Sequence, residues 1–400
     1  MAILGQGYVG LPLAMAAQEA GWNVYGLDLS EERVRRLRMG QSFIEDVSDA
    51  KLQSALAKGY TPTSNFAVLG EVSIAVVCVP TPLDSANQPD LSPLESAVRT
   101  IASYAKDGTL IINESTSFPS TVREIIPKVV AEVNPELKLL YAVAPERVDP
   151  GNAEWGYRET PRLVGGLTEE ATNRAVGFYS SFCNHVVRVE SPEIAEFSKV
   201  LENSFRQVNI ALVNELIPLA RELNVSLFDV IEAASTKPYG FMPFWPGVGV
   251  GGHCIPIDPM YLAWLAKSKG SPISLIEQAQ MVNQGTPTEV WKQIKKLCLA
   301  QHSSVLQVGI AYKPRVSDVR ESPSVELFEF VSSFFSRAQW WDSSIEEWNG
   351  TARSTLDEDF DLVIVTHRIG NDKVEASLKK AKVVIDCTGQ YRHLPNVQSI

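Results

Sequence analysis

The chain has 400 residues, of which 45% are hydrophobic and 21% charged, with a net charge of −11. That length exceeds one ordinary core, so two or three domains are expected, and the acidic balance excludes nucleic acid or an anionic membrane surface as the main partner. No apolar run reaches the roughly eighteen residues that span a bilayer, and no charged n-region with a cleavage site opens the chain, so a cytoplasmic protein without a membrane partner is expected.

The first stretch, MAILGQGYVGLPLAMAAQEAGWNVYGLDLSEERVRRL, reads as a short strand, a glycine-rich turn, a small-residue helix and a second strand closing at Asp28. The first strand has almost nothing before Ala2, which suggests a clipped or unusually short beginning. Gly5, Gly7 and Gly10 form GxGxxG, which permits a tight turn, approach of a pyrophosphate to the helix N-terminus, and close helix-to-strand packing. A carboxylate at the end of the second strand binds ribose hydroxyls and repels a 2′-phosphate, so Asp28 favours NAD over NADP. The motif alone is weak; strand, turn, helix, strand and acid together are specific.

Further strand-then-loop signals follow in VSIAVVCVPTP, TLIINESTSFPSTV and LLYAVAPERVDPGN. Strands alternating with helices indicate a doubly wound parallel sheet, whose ligands bind at the strand C-termini. Thr81, Thr116, Glu146 and Arg147 fall on that edge, although a lone Thr or Glu there serves equally as a turn cap.

From Ser191 the run SPEIAEFSKVLENSFRQVNIALVNELIPLARELNV has apolar residues at helical spacing, and a long amphipathic helix needs a partner surface, which points to a subunit interface. Lys199 and Asn203 lie four apart on it, one turn from each other on one face, able to hold the oxygens of a reacting alcohol. A second α/β pattern follows: SSVLQVGIAY, SPSVELFEFVSSFF, AQWWDSS, DLVIVTH and KVVIDCTG. Its first loop lacks GxGxxG but carries Lys313, Arg315 and Arg320, charges that suit a phosphorylated ligand or simple solvation. No internal repeat is evident. The expected fold class is α/β, two doubly wound Rossmann-like domains joined by a central helical domain with a long helix. The division is 1–190 for NAD, 191–285 for the helical dimerisation and catalytic part, and 286–400 for the second Rossmann-like domain.

Five cysteines, Cys78, Cys183, Cys254, Cys298 and Cys387, stand far apart with no CxxC, so neither a disulfide framework nor a metal site is expected. Cys254 stands out within WPGVGVGGHCIPIDP, with glycines before it and Asp258 behind. A dehydrogenase that oxidises an alcohol once needs a base and a hydride acceptor; one that continues to the acid needs a nucleophile that adds to the aldehyde and leaves from a thioester. NAD with a displayed thiol therefore points to a four-electron oxidation. His253 is expected to be structural, because adjacent side chains diverge. Asp258 is a base for water, a partner for Lys199, or a turn cap.

The segments GQGYVGLPLA, VPTP, ESTSFPST, APERVDPGN, AEFSKVLENSFR, GVGGHCIPIDP and AYKPRVSDVRESPS together resemble the UDP-glucose/GDP-mannose dehydrogenase family of nucleotide-sugar 6-dehydrogenases, from first residue to near the last. The resemblance implies a homodimer or higher homo-oligomer that oxidises the C6 alcohol of a UDP-sugar to a carboxylate. It implies catalytic roles for Cys254 as nucleophile, Lys199 and Asn203 for oxyanions, Asp258 and Thr116 for water, and Glu146 for thioester hydrolysis. NAD would be held by Gly5, Gly7, Tyr8, Val9, Gly10, Asp28, Arg33, Pro80, Thr81, Ser115 and Thr116. The nucleotide sugar would meet Glu146, Arg147, Val148, Lys199, Asn203, Arg206, Gly251, Cys254, Lys313 and Arg320. PERVDPGN, FRQVNIALVNEL and GGHCIPIDP resemble the N-acetylhexosamine branch, so UDP-N-acetylglucosamine is expected first, with UDP-N-acetylmannosamine or UDP-glucose as alternatives. Val248 and the CTG of Cys387–Gly389 depart from the branch pattern. A single-step hydroxyacid dehydrogenase would need neither Cys254 nor a second α/β domain, and a non-catalytic nucleotide-sugar-binding protein would not need the catalytic residue types.

Overall fold

Runs of branched apolar residues too short for helices become buried strands, and the computed structural model describes them within residues 1–44, 46–149, 152 and 154–400. Pro150 and Gly151 of the APERVDPGN segment thus lie outside the described residues. The chain divides into two compact units, Met1–Glu202 and Asn203–Ile400.

The first unit is built from β1 (Ala2–Leu4), α1 (Gly10–Glu19), β2 (Val24–Leu27), α2 (Glu31–Arg38), α3 (Asp49–Ala57), β3 (Tyr60–Thr63), β4 (Ile74–Val77), α4 (Ser92–Tyr104), β5 (Leu110–Asn113), α5 (Ile126–Val133), β6 (Leu140–Val143), β7 (Arg162–Gly166), α6 (Glu169–Ser180) and β8 (Val186–Arg188). Strand order is β3-β2-β1-β4-β5-β6-β7-β8, parallel except where β7 runs against β6. Every residue of β1, β4 and β5 is buried, as a sheet covered on both faces requires. Alternate residues feed opposite layers: Ile3, Val76 and Ile112 pack on one face, and Ala2, Leu4, Val77 and Ile111 on the other. The chain reverses direction across the sheet between β1 and β4, and the loops leaving those strands meet at one edge.

Helix α7 (Pro192–Glu222) starts in the first unit and continues into the second. The second unit goes on with α8 (Leu227–Ser235), α9 (Asp258–Ser268), α10 (Ser274–Lys295), β9 (Ser304–Val308), α11 (Pro323–Phe334), β10 (Arg337–Trp341), β11 (Glu347–Trp348), β12 (Thr351–Ala352), β13 (Leu362–Val365), α12 (Asp372–Lys380), β14 (Val383–Asp386) and β15 (Val397–Ser399). Its parallel sheet has the order β10-β9-β13-β14-β15. The core includes Phe228, Val290, Leu327 and Ile385, and both departures noted above fall within it: Val248 and Cys387 are buried there.

The two sheets share a turn after their first strands, although only the first carries GxGxxG. Gly5 and Gly309 follow the first strand of each unit at φ 92° and 99°. Gly5 N donates to Leu27 O and Gly309 N to Trp341 O, each at 2.8 Å. Gln6 N reaches Asp28 Oδ2, and Ile310 N reaches Asp342 Oδ2, each at 2.9 Å. Ser30 N and Ser344 N hold the other oxygen of each aspartate, again at 2.9 Å. The turns then diverge, because His367 packs over the second one, its Nδ1 3.8 Å from Asp342 Oδ2.

The GxGxxG glycines have separate reasons. A Cβ on Gly10 would stand 1.9 Å from Gly5 O, whereas one on Gly7 would meet nothing within 4 Å. Gly10→Ala is therefore expected to cost about 1–3 kcal/mol in urea unfolding, and Gly7→Ala to stay within about 0.5 kcal/mol of the parent. Equal losses would contradict this division of tasks.

Candidate active site

At the loop edge of the first unit, Asp28 lies just past β2, 6% exposed. Its Oδ2 accepts from Gln6 N and from Arg33 Nη1 at 2.8 Å, and the Arg33 guanidinium lies over the Phe43 ring. Arg33 thus neutralises the carboxylate expected to bind ribose, and both face the same place. Behind them Tyr60 donates to Gln6 Oε1 at 2.7 Å, its phenol pushed up by burial and by the nearby Asp28 charge. Helix α1 has no side-chain cap at Val9, and the backbone closes its first turn, Leu11 N donating to Gly7 O at 3.1 Å and Leu13 N to Val9 O at 3.2 Å on either side of Pro12. Ser115 Oγ bonds both Val79 N and Val79 O, fixing the start of the loop that carries Pro80 and Thr81. A bare backbone at Gly7, a tight glycine turn leading into α1 and a carboxylate beyond β2 are features an NAD pyrophosphate and ribose require, so the residues fit that cofactor.

Two neighbouring loops are tied to the start of α7. After β5, Glu196 accepts from Ser120 N at 2.8 Å, Val122 N at 3.0 Å and Ser117 Oγ at 3.3 Å, capping the next helical turn from another helix. Ser120 takes a left-handed φ of 81° to present its amide. Burial raises the Glu196 carboxyl to about 8, the amide hydrogen bonds opposing that rise. Asn113 Nδ2 holds Ser115 O at 3.0 Å, so half-buried Thr116 hangs between two fixed neighbours. After β6, Arg147 grips Glu202 with Nη2 at 2.6 Å and Nε at 3.1 Å. Lys199, buried, falls on α7 between Glu196 and Glu202 at spacings of three.

Glu146 turns its carboxylate inward. Its Oε1 accepts from Arg147 N and Val148 N at 2.5 and 2.6 Å, and its Oε2 faces Arg162 Nη2 at 3.2 Å. Arg162, 1% exposed, also donates to Pro145 O and lies 3.9 Å from a second buried carboxylate, Glu114 Oε2. The rings of Tyr157 and Tyr179 flank the guanidinium, and their hydroxyls donate to Glu114 Oε1 at 2.7 and 2.5 Å.

In the second unit Cys254 is exposed, and its carbonyl accepts from Asp258 N at 2.8 Å, so the thiol belongs to the turn that starts α9. Asp258, 2% exposed, is held by Asn203 Nδ2 at 2.5 Å. The glycine loop lies on the polar loop after β9: a Cβ on Gly251 would stand 2.6 Å from Glu321 O, and one on Gly252 2.8 Å from the Tyr312 ring. Lys313 Nζ lies 5.7 Å from the centre of that ring. Arg320 grips Asp318 through Nε at 2.8 Å and Nη2 at 2.6 Å. Burial alone would raise the Asp318 carboxyl, but those bonds bring it below its ordinary range. Arg206 is exposed on α7. His253 is lowered by burial and then by Arg320.

The structure thus gathers Thr116, Glu146, Arg147 and Lys199 in the first unit, and Asn203, Asp258, Cys254, Gly251, Lys313 and Arg320 in the second. Sequence reading missed Glu114, Arg162, Glu196 and Glu202. Only Glu196 and Glu202 had a signal, their spacing of three from Lys199. Among the described residues no group of three His, Cys, Asp or Glu could hold a metal, and no helix is long and apolar enough to cross a membrane.

Comparison with known proteins agrees with these motifs. The descriptions "UDP-glucose/GDP-mannose dehydrogenase family, NAD binding domain" and the same family's "central domain" match residues 1–183 and 193–285. A UDP-N-acetyl-D-mannosamine dehydrogenase of Pyrococcus horikoshii is 32% identical over 375 residues, 92% of this chain and 88% of that protein. One from Escherichia coli strain K12 is 33% identical, covering 84% of this chain and 83% of its own length. A solved structure of the Pyrococcus horikoshii UDP-D-ManNAc dehydrogenase superposes with a TM-score of 0.89 at 30% identity, over 100% of this chain and 99% of that one. With a cradle fitted to NAD and these matches along its length, the chain belongs to the UDP-glucose/GDP-mannose dehydrogenase family, as an NAD-dependent nucleotide-sugar dehydrogenase.

Proposed function

We propose that this enzyme oxidises the C6 alcohol of UDP-N-acetylmannosamine to the carboxylate in two successive steps. The sugar is supported by the relatives, which carry that activity in their names. UDP-N-acetylglucosamine, the sequence's first expectation, thereby moves to second place, ahead of UDP-glucose. The observation that carries the four-electron reading is the exposed Cys254 one turn before an Asp258 fixed by Asn203. A single oxidation has no use for such a thiol.

NAD, when bound, supplies the hydride acceptor for each oxidation. Gly5, Gly7, Tyr8, Val9 and Gly10 would hold its pyrophosphate and Asp28 and Arg33 its ribose, with Pro80, Thr81, Ser115 and Thr116 completing the set that would hold it. The Cys254 thiolate adds to the C6 aldehyde, and Lys199 and Asn203 hold the oxygen as it gains charge. After the second oxidation leaves a thioester, Thr116 and Asp258 orient a water and Glu146 takes its proton. The hydroxide oxygen bonds to the acyl carbon, the carbon–sulfur bond breaks, and the thiolate returns. Glu146, Arg147, Val148, Arg206, Gly251, Lys313 and Arg320 meet the nucleotide sugar. The helical segment 191–285 serves association: Phe197, Leu201, Phe205, Leu212 and Leu219 leave large apolar areas exposed along α7, a surface suited to a second copy of this chain.

Incubation with NAD and a panel of UDP-sugars should yield two NADH per UDP-N-acetylmannosamine, with the highest kcat/KM for that sugar. One NADH per sugar, or acid formed by Cys254→Ala, would remove the thioester route; a higher kcat/KM on UDP-N-acetylglucosamine would restore the sequence's first choice. Leu212→Glu should lower the mass in sedimentation equilibrium, and an unchanged mass would clear α7 of the interface.

A further inference from the structure

Glu114 ends up buried without a task in the chemistry above. It sits immediately after β5, 1% exposed. Its surroundings are specific to a charge. Two phenols, Tyr157 and Tyr179, give their hydroxyl protons to Oε1, while Oε2 faces the Cys78 thiol at 3.9 Å and Arg162 Nη1 at 3.9 Å. The same guanidinium donates from Nη2 to Glu146 Oε2 at 3.2 Å. One buried cation thus serves two carboxylates, and what one draws from it the other does not receive.

An arginine devoted wholly to Glu146 would hold that carboxylate so well that it would accept a proton poorly. We infer that Glu114 is a positioning residue for thioester hydrolysis: it takes up part of the Arg162 charge and so keeps Glu146 able to accept the proton of the attacking water. This rests on the proposed role of Glu146. The step itself is unchanged: water gives its proton to the Glu146 carboxylate, its oxygen bonds to the acyl carbon, the bond to sulfur breaks, and the resulting acids release their protons to solvent.

The groups facing Glu114 are Cys78 after β4, Glu146 after β6, Tyr157, Arg162 at the start of β7, Tyr179 on α6 and Cys183 beyond it. Burial pushes the thiols and phenols up, Cys183 to about 11, so they stay neutral, while Arg162 stays charged. Burial likewise raises the Glu114 carboxyl, to about 7, with Arg162 opposing the rise and Glu146 adding to it. Its negative charge is therefore present above that pH and absent below, which gives the effect a direction: help to hydrolysis that grows as pH rises through about 7.

Rapid-quench measurement separates acyl-enzyme hydrolysis from the first NADH formed, in wild type and in Glu114→Gln, at both sides of neutrality. At alkaline pH the variant should hydrolyse about tenfold more slowly while its first oxidation stays within about threefold; at acid pH, where wild-type Glu114 is itself uncharged, the two proteins should converge. A deficit of equal size at both pH values, equal loss of both steps, or no deficit would overturn the inference. Should Glu114→Gln fail to fold, Tyr179→Phe removes a donor that favours the ionised form, so the midpoint of the wild-type hydrolysis profile should move to higher pH; an unmoved midpoint would overturn it as well. Glu146→Gln keeps the parent reading separate: acid formed by that variant at the wild-type rate defeats the role of Glu146, whereas a block there with no pH-dependent deficit in Glu114→Gln defeats only the role of Glu114.

Discussion

The carboxylate of Glu196 accepting the amides of Ser120 and Val122 is the contact on which the arrangement of the first unit turns. A loop at the edge of a parallel sheet has no ladder to hold it, so its position has to be set by something else. Here a helix supplies the missing acceptor. Glu196 ties the loop after β5, Glu202 ties the loop after β6 through Arg147, and Lys199 stands between them on the same helix. Ordinary hydrogen bonds of this kind contribute about 0.5–1.5 kcal/mol each, enough in combination to keep a loop in one place without the rigidity of a strand. Thr116 and Glu146 inherit their positions from these two ties.

The same edge stores a second constraint, electrostatic instead of geometric. Arg162 is buried between Glu114 and Glu146, two carboxylates to one guanidinium, with tyrosine hydroxyls making up the shortfall around Glu114. Removing water from such a group penalises an uncompensated charge heavily, so the cluster survives because each oxygen finds a donor. The second unit solves its own version with simpler means: Arg320 holds Asp318, and Asn203 holds Asp258. In both units a residue expected to meet substrate already has a protein partner. That limits its rotamers before any ligand arrives, which is the condition for a site that need not reorganise during reaction.

Much of this was legible in the sequence because short-range patterns carried it. Gly5, Gly10 and Asp28 are separated by one helix and one strand, so their spacing alone announces the turn and the carboxylate. The glycines ahead of Cys254 and the prolines behind it announced a shaped loop, and it proved to rest against Tyr312 and Glu321. What escaped was long-range. Glu114 and Arg162 reach one another only because β5, β6 and β7 are sheet neighbours, a fact no local window holds. Glu196 and Glu202 look like solvent-facing charges on an amphipathic helix until their partners are known. The duplicate of the Asp28 turn at Asp342 was hidden because the donors common to the two aspartates are backbone amides, so Ile310 can stand where Gln6 does. The preference between two N-acetylhexosamines was open for a related reason. It depends on which side chains border one ring carbon, and the motifs that identify the family serve the nucleotide and the reacting carbon instead.

The most direct test of the role given to α7 is kcat of Glu196→Gln at saturating NAD and nucleotide sugar, because this buried side chain is occupied by Ser117 and the amides of Ser120 and Val122. If the loop carrying Thr116 depends on that side chain, kcat should fall about tenfold or more while both KM values stay near those of the wild type. A variant that turns over at the wild-type rate would show that the loop holds its place without Glu196.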